Sequence, residues 1–88
     1  MLEVTLKRTP ARVLRRMQPK AAGQIRQAIV AIAADPAGHG LDVRPLTNRP
    51  GQRLRIGGWR VIFEIDDGIL DVLAIEPRGD VYKPRKRR

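Results

Sequence analysis

Residues 52–82 read QRLRIGGWRVIFEIDDGILDVLAIEPRGDVY, and this stretch decides the fold. Apolar residues alternate with polar ones in three short runs, which is the pattern of β-strands with one buried face. Gly57-Gly58 and Asp67-Gly68 separate the runs. An Asp-Gly pair favours a type I′ turn, because both central positions of that turn need φ > 0. The third run, residues 69–75, is closed by Pro77, so the sequence predicts a three-stranded antiparallel meander.

The segment before the meander predicts one more strand and two helices. Residues 2–7, LEVTLK, alternate as a strand does. Thr9 is the predicted N-cap of the first helix and Pro10 suits its first position. The second helix begins at Pro19 and ends before Pro36, since the residue before a proline is pushed out of the helical region. The residues predicted to face inward are Val13, Leu14 and Met17 in the first helix and Ala21, Ile25, Ala28, Ile29 and Ile32 in the second.

Residues 37–51 carry several glycines and prolines and predict a loop between the helices and the meander. The predicted fold class is α+β, with two N-terminal helices packed on one face of a small twisted antiparallel β-sheet. Such a sheet leaves its other face partly open. We expect a single domain over residues 1–82, followed by a basic tail at residues 83–88.

The net charge of the chain says more about its partner than any other feature of its composition. Eighteen Lys and Arg residues against nine Asp and Glu residues give a net charge of +9 over 88 residues. Five of those basic residues lie in the tail, so the rest of the chain carries about half of the excess. A basic body with a more basic end predicts a partner that is a polyanion, with nucleic acid first and an acidic protein as the alternative. The tail by itself could equally be a solvated end.

Composition excludes several kinds of chemistry. The chain has no cysteine and no serine, so it has no disulfide, no thiolate metal site and no serine or cysteine nucleophile. His39 lies between glycines in the loop and is interpreted as a solvent-exposed side chain. The acidic residues Glu64, Asp66, Asp67 and Asp71 lie at strand and turn spacing, which favours a polar outer face over a metal site. We therefore expect no cofactor, no metal and no membrane segment, and a cytoplasmic location.

The basic residues in and beside the meander, with one tyrosine, remain as candidates for function: Arg53, Arg55, Arg60, Arg78 and Tyr82. Here the chain resembles the RelE/ParE superfamily of toxins from bacterial type II toxin–antitoxin modules. The resemblance covers nearly the whole chain in order of elements. Its specific part is RLRIGGWRVIFEIDDGILDVLAI followed by RGDVYK, anchored by Trp59-Arg60-Val61 and Val81-Tyr82-Lys83.

The resemblance implies a function that differs between branches of the superfamily. RelE-like members cleave mRNA in the ribosomal A site, whereas ParE-like members inhibit DNA gyrase and lack the basic-plus-tyrosine set. The RelE-like branch is the prediction for this chain, with a cognate acidic antitoxin, the ribosome and mRNA as partners and a hetero-oligomeric toxin–antitoxin complex. By that resemblance the catalytic residues are Arg60, Arg78 and Tyr82, and the RNA-binding residues are Arg53, Arg55, Lys83 and Arg85. The segment from Glu76 to Asp80, which contains Arg78, is shorter than the corresponding segment in many relatives.

The chemistry of RNA cleavage fits these residue types independently of the resemblance. RNA carries its own nucleophile, the 2′-hydroxyl, so the protein must align it, stabilise the phosphorane and move two protons. Guanidinium groups bind phosphate oxygens in pairs but make poor bases. Tyr82 is then the one titrating candidate in the set, and neighbouring arginines would favour its phenolate. The predicted product is a 2′,3′-cyclic phosphate, formed without a metal.

Two other hypotheses stay open at this stage. One is a gyrase inhibitor on the same fold, and the other is a non-enzymatic basic protein that binds ribosomal RNA. Each arginine also has a purely structural interpretation. Arg60, for example, would be a solvated cross-strand partner of Glu64 or Asp71.

Overall fold

The computed structural model describes residues 1–78, and within them the chain forms two helices and a five-stranded sheet. The predicted α+β arrangement is confirmed. The strands in the sheet follow the order β1-β5-β4-β3-β2. The elements are β1 (Glu3–Leu6), α1 (Arg8–Arg16), α2 (Pro19–Ala34), β2 (Asp42–Pro45), β3 (Gln52–Ile56), β4 (Trp59–Asp66) and β5 (Ile69–Pro77).

The predicted meander is present as β3, β4 and β5, joined by the two predicted turns. Asp67 and Gly68 have φ angles of 53° and 76°, so both central positions of the second hairpin are left-handed. One irregularity lies in the β4–β5 ladder, where the register shifts between Ile62 and Phe63. Ile62 lies opposite Ala74 and Phe63 opposite Val72, which leaves Leu73 as the extra residue. Such a bulge increases the local twist of the sheet.

The sheet is mixed, whereas the sequence predicts an antiparallel one. β1 pairs with β5 in parallel, with Glu3 opposite Ile69 and Leu6 opposite Val72. The alternation of a single strand does not encode the direction of its partner. Parallel strands need a long connection, and here both helices and the strands β2 to β4 lie between β1 and β5 in the chain.

The predicted loop over residues 37–51 contains a short strand. β2 pairs antiparallel with β3, with Val43 opposite Leu54. The first helix also begins earlier than predicted, at Arg8, so Thr9 is inside the helix and not its N-cap. Lys7 takes the cap position with extended backbone, because its N–H donates to the Val72 carbonyl 3.0 Å away in the β1–β5 ladder.

The core lies between the helices and one face of the sheet. Phe63, Leu54 and Val61 are fully buried on the sheet side of this core. Most of the predicted stripe of α2 is buried as expected, although Ala22 takes the place of Ala21. In α1, Leu14 is buried while Val13 and Met17 pack against the core half-buried. Neither helix within residues 1–78 is long and apolar enough to cross a membrane.

Candidate nucleic-acid interface

Arginine side chains of β3 and β4 project from the face of the sheet that the helices do not cover. Leu54 and Val61 point into the core, so strand alternation turns Arg53, Arg55 and Arg60 to the opposite face. Arg55 lies directly opposite Arg60 across the β3–β4 ladder. The structure therefore brings these three predicted residues onto one surface.

This face is less open than the sequence predicts, because the loop of residues 46–51 folds over part of it. The N–H of Leu46 donates to the carbonyl of Gly51 at 3.0 Å, which closes the loop on itself. Gly51 has φ of +111°, and a Cβ there would lie 3.1 Å from the Phe63 carbonyl oxygen. Only glycine fits this approach of the loop to the sheet without strain. Ile62 on this face is only 5% exposed, so part of the surface is a covered apolar floor.

A cationic cavity of about 190 Å³ lies between this loop and the sheet. Arg49 of the loop, Arg53 of β3 and Arg60 of β4 all line it. The Nε of Arg53 is buried and has no hydrogen-bond partner among residues 1–78. Three guanidinium groups line this one small cavity, so the cavity is suited to an anion. The remaining lining residues are Pro45, Leu46, Thr47, Ile62 and Glu76.

Arg49 is a site residue that the sequence-based prediction missed. It lies in the hairpin connection between β2 and β3, which the prediction treated as an undivided loop. Recognition of the Asp42–Pro45 strand would have indicated that Arg49 lies in a hairpin connection beside the meander. A four-residue strand that ends in proline gives only a weak pattern, so the signal was present but small.

Arg60 is held by an acidic residue of the neighbouring strand. Its Nε and Nη2 both donate to Oε1 of Glu76, at 3.2 Å and 2.8 Å. The two residues lie directly opposite each other on β4 and β5, and their side chains are 34% and 43% exposed. The partner is thus Glu76, and neither Glu64 nor Asp71. An ion pair this exposed is screened by water and contributes roughly 0–1 kcal/mol to stability, so its main effect is to orient the guanidinium.

Arg78 does not line the cationic cavity. Its Nη1 donates to the carbonyl of Gly57 at 3.2 Å, and its backbone N–H donates to the carbonyl of Gly58 at 3.1 Å. It therefore packs on the turn between β3 and β4, and the structure does not bring it among the residues that line the cavity. The other predicted site residues, Tyr82, Lys83 and Arg85, lie outside the described residues.

Other polar residues of the described chain have structural roles. Oδ1 of Asp71 accepts a hydrogen bond from the Thr5 hydroxyl at 2.8 Å, and Oδ2 lies 3.0 Å from Nζ of Lys7. The hydrogen bonds from Lys7 and Thr5 hold the pKa of the Asp71 carboxyl below its ordinary value. His39 accepts a hydrogen bond at Nδ1 from the N–H of Leu41, which orders the loop before β2. Within residues 1–78, no three acidic or histidine side chains converge on a possible metal position.

Two helices packed on one face of a mixed five-stranded sheet are also the fold of solved RelE toxins. The profile of the family described as the ParE toxin of type II toxin–antitoxin system, parDE, matches residues 5–82. The chain therefore belongs to this family, and it is a toxin of a type II toxin–antitoxin system. The resemblance to the RelE/ParE superfamily is confirmed.

Solved structures of RelE toxins share the fold. The RelE of the RelE–RelB complex from Pyrococcus horikoshii OT3 superposes with a TM-score of 0.77 at 20% identity, covering 89% of this chain and 96% of that one. The RelBE2 complex from Mycobacterium tuberculosis gives 0.73 at 20% identity, with 88% and 98% covered. The isolated RelE toxin from E. coli gives 0.74 at 15% identity, with 93% and 92% covered. Comparison with the curated proteins finds no match.

Proposed function

We propose that this toxin is a metal-independent endoribonuclease that cleaves mRNA in the ribosomal A site and so inhibits translation. The observation that carries the proposal is the cavity between the loop and the open sheet face, which is lined by Arg49, Arg53 and Arg60. Three guanidinium groups around one small cavity fit a phosphodiester, since each can donate two parallel hydrogen bonds to phosphate oxygens.

In the proposed reaction the scissile phosphate binds in this cavity. Arg60 and Arg53 stabilise the negative charge that builds on the phosphorane, which is the kind of electrostatic stabilisation worth about 3–4 kcal/mol for each well-placed donor. Arg55 is exposed on the same face and tracks the neighbouring backbone phosphate. Tyr82, with Lys83 and Arg85, follows β5 in the chain and is proposed to complete the site. Ribosome-bound mRNA is the substrate, so the toxin acts in the cytoplasm.

The partner that restrains the toxin is proposed to be an acidic antitoxin segment, as the structural relatives solved with RelB suggest. β1 is the edge strand next to an apolar groove of about 460 Å³. The N–H groups of Glu3 and Lys7 donate toward β5, so by alternation those of Val4 and Leu6 point away from the sheet. Their side chains line the groove, and Arg15 and Arg26 also line it. An extended acidic segment could add a strand to β1 and seat apolar side chains in the groove.

A gyrase inhibitor is the second candidate function, because the matching family is described by the name ParE. A toxin of that kind binds a protein and cleaves no RNA. On this alternative the arginines of the open face would meet an acidic protein surface. The two candidates predict different activities for the same purified protein.

The test is a pair of assays on one preparation of the full chain. In the first, ribosomes carrying a defined mRNA are incubated with the toxin, and the cut positions and the terminal phosphate are mapped. In the second, supercoiling by DNA gyrase is followed with and without the toxin. Cleavage that leaves a 2′,3′-cyclic phosphate, with gyrase unaffected, supports the proposal. If the mRNA stays intact and gyrase stalls, the ribonuclease proposal is wrong and the toxin is a gyrase inhibitor.

The proposed binding of an antitoxin at β1 is tested by co-expressing the toxin with the protein encoded beside its gene. Val4→Pro removes an N–H that β5 does not use, while Val4→Ala keeps that N–H and trims the same side chain. If a strand adds at β1, the proline variant should co-purify much less antitoxin than the alanine variant. Equal recovery of both complexes would contradict strand addition at this edge.

A further inference from the structure

We infer that Glu76 is the residue that accepts the proton from the attacking 2′-hydroxyl group. This inference rests on the proposed ribonuclease function and deepens it by assigning the base. Nothing in the sequence pattern singled out Glu76. The assignment comes from its position on β5 opposite Arg60 and from its place in the wall of the cationic cavity.

The cavity offers few groups that can accept a proton. Its three arginines stay protonated throughout the pH range of the reaction, and Thr47 offers only a neutral hydroxyl. The other lining residues are Pro45, Leu46 and Ile62, whose side chains are apolar. Among the residues that the structure describes around this cavity, Glu76 alone carries a carboxylate.

The hydrogen bonds of Glu76 leave part of this carboxylate available. Both bonds from Arg60 go to Oε1, and among the side-chain hydrogen bonds within residues 1–78 none reaches Oε2. Arg60 therefore holds the carboxylate in one orientation by one oxygen, while Oε2 is not engaged by a side chain of residues 1–78. The same guanidinium keeps further N–H groups for a phosphate, because an arginine has five in total. A phosphate bound to Arg60 would thus lie next to Oε2 of Glu76.

The proposed step moves one proton onto Glu76 and a second proton onto the leaving group. Oε2 of Glu76 takes the proton of the 2′-hydroxyl while the 2′-oxygen forms a bond to phosphorus. The bond between phosphorus and the 5′-oxygen breaks, and that oxygen leaves with a proton from water. The products are a 2′,3′-cyclic phosphate and a 5′-hydroxyl, and Glu76 then returns its proton to solvent. Arg53 and Arg60 stay charged throughout and bind the equatorial oxygens of the phosphorane.

Glu76→Gln is the variant that isolates this role. The glutamine amide oxygen can still accept hydrogen bonds from Arg60, so the orientation of the guanidinium is kept while the proton acceptor is lost. Single-turnover cleavage of ribosome-bound mRNA should fall by about 10²–10⁴-fold, the usual size of a general-base contribution. Affinity for RNA should change little. Glu76→Asp retains a carboxylate on a shorter side chain and should recover part of the rate.

Glu64→Gln is the matched control, since Glu64 is a half-buried glutamate of β4 that lies outside the lining of the cationic cavity. This variant should cleave at close to the rate of the unmodified protein.

Two results would overturn the assignment, and they are distinct. If the unmodified toxin cleaves and Glu76→Gln cleaves as fast or faster, Glu76 only pairs with Arg60, and the ribonuclease function stands without it. A large loss in Glu76→Ala with near-normal Glu76→Gln would point the same way, to a positioning role. If the unmodified toxin leaves mRNA intact and stalls gyrase, the ribonuclease function itself fails and this inference fails with it.

Discussion

Arg55 and Arg60 lie directly opposite each other on β3 and β4, so their two guanidinium groups project from the same face of the sheet at adjacent positions. Like charges directly opposite each other in a sheet repel, and together they raise the positive potential of this face. Glu76 offsets only Arg60, through one carboxylate oxygen. Asp42 lies opposite Arg55 on β2 but forms its ion pair with Arg44 at 3.5 Å.

Arg53→Ala and Arg55→Ala should weaken RNA binding, because on the proposed function each removes a guanidinium that binds a phosphate. The plot of log affinity against log salt should become shallower by about 0.7 for each phosphate of a single strand that is no longer neutralised. Arg12→Ala removes the same charge from the exposed side of α1, away from the sheet face, and is the control. Binding titrations at several salt concentrations measure the slopes. A slope as steep in Arg53→Ala as in the control would argue against a phosphate in the cavity.

Arg60→Lys should slow cleavage nearly as much as Arg60→Ala does. The lysine ammonium keeps the charge but cannot reproduce the bonds from Nε and Nη2 to Oε1 of Glu76, nor can it donate two parallel hydrogen bonds to a phosphate. Single-turnover cleavage of ribosome-bound mRNA gives the rates, and RNA affinity is measured on the same variants. Recovery of most of the rate in Arg60→Lys would mean that charge alone is needed at this position.

Tyr82→Phe removes one hydroxyl and keeps the aromatic ring. If Tyr82 transfers a proton to the leaving 5′-oxygen, cleavage should drop by about 10²–10⁴-fold with RNA affinity almost unchanged. Growth arrest on expression should weaken in parallel with cleavage. A fully toxic Tyr82→Phe variant that stalls gyrase would instead support the second candidate function.

Gly51→Ala should destabilise the toxin, because its φ of +111° is strained for alanine and the new Cβ would lie 3.1 Å from the Phe63 carbonyl oxygen. The expected cost is about 1–3 kcal/mol. Gly23→Ala is the contrasting variant, since Gly23 lies in α2 and a Cβ added there would meet nothing within 4 Å. That substitution should stabilise the protein by about 0.5–1 kcal/mol. Urea unfolding of both variants measures the two effects, and equal stabilities would contradict the strained loop.

Asp71 of β5, which contacts Thr5 and Lys7 at the β1 edge, should make the stability of the toxin depend on pH. The hydrogen bonds from Lys7 and Thr5 lower the pKa of Asp71 in the folded state below its ordinary value of 3.8. A lowered folded pKa contributes stability that is present above the ordinary value and is lost as the pH falls through the folded one. The free energy of unfolding should therefore decline in acid more steeply in the unmodified protein than in Asp71→Asn. Parallel curves for the two proteins would show that Asp71 does not contribute.

The sequence by itself determined the meander and the chemical character of its outer face. The turn at Asp67-Gly68 is a local property, because its residues accept φ > 0 without help from the rest of the chain. The alternation around Leu54 and Val61 also fixes which side chains face the core. Once that face is buried, Arg53 and Arg60 must lie on the other side.

The tertiary structure alone decided which residues meet on that face. Strand direction and register depend on contacts between distant segments, so neither the parallel pairing of β1 nor the hairpin that brings Arg49 to the cavity could be read from local patterns. The contact between Glu76 and Arg60 could not be read from local patterns either. It depends on the register of the β4–β5 ladder, which shifts at the bulge between Ile62 and Phe63. An arginine pattern in a sequence predicts a basic surface. Only strand pairing determines which acid holds each arginine, and thus which of them can act on a phosphate.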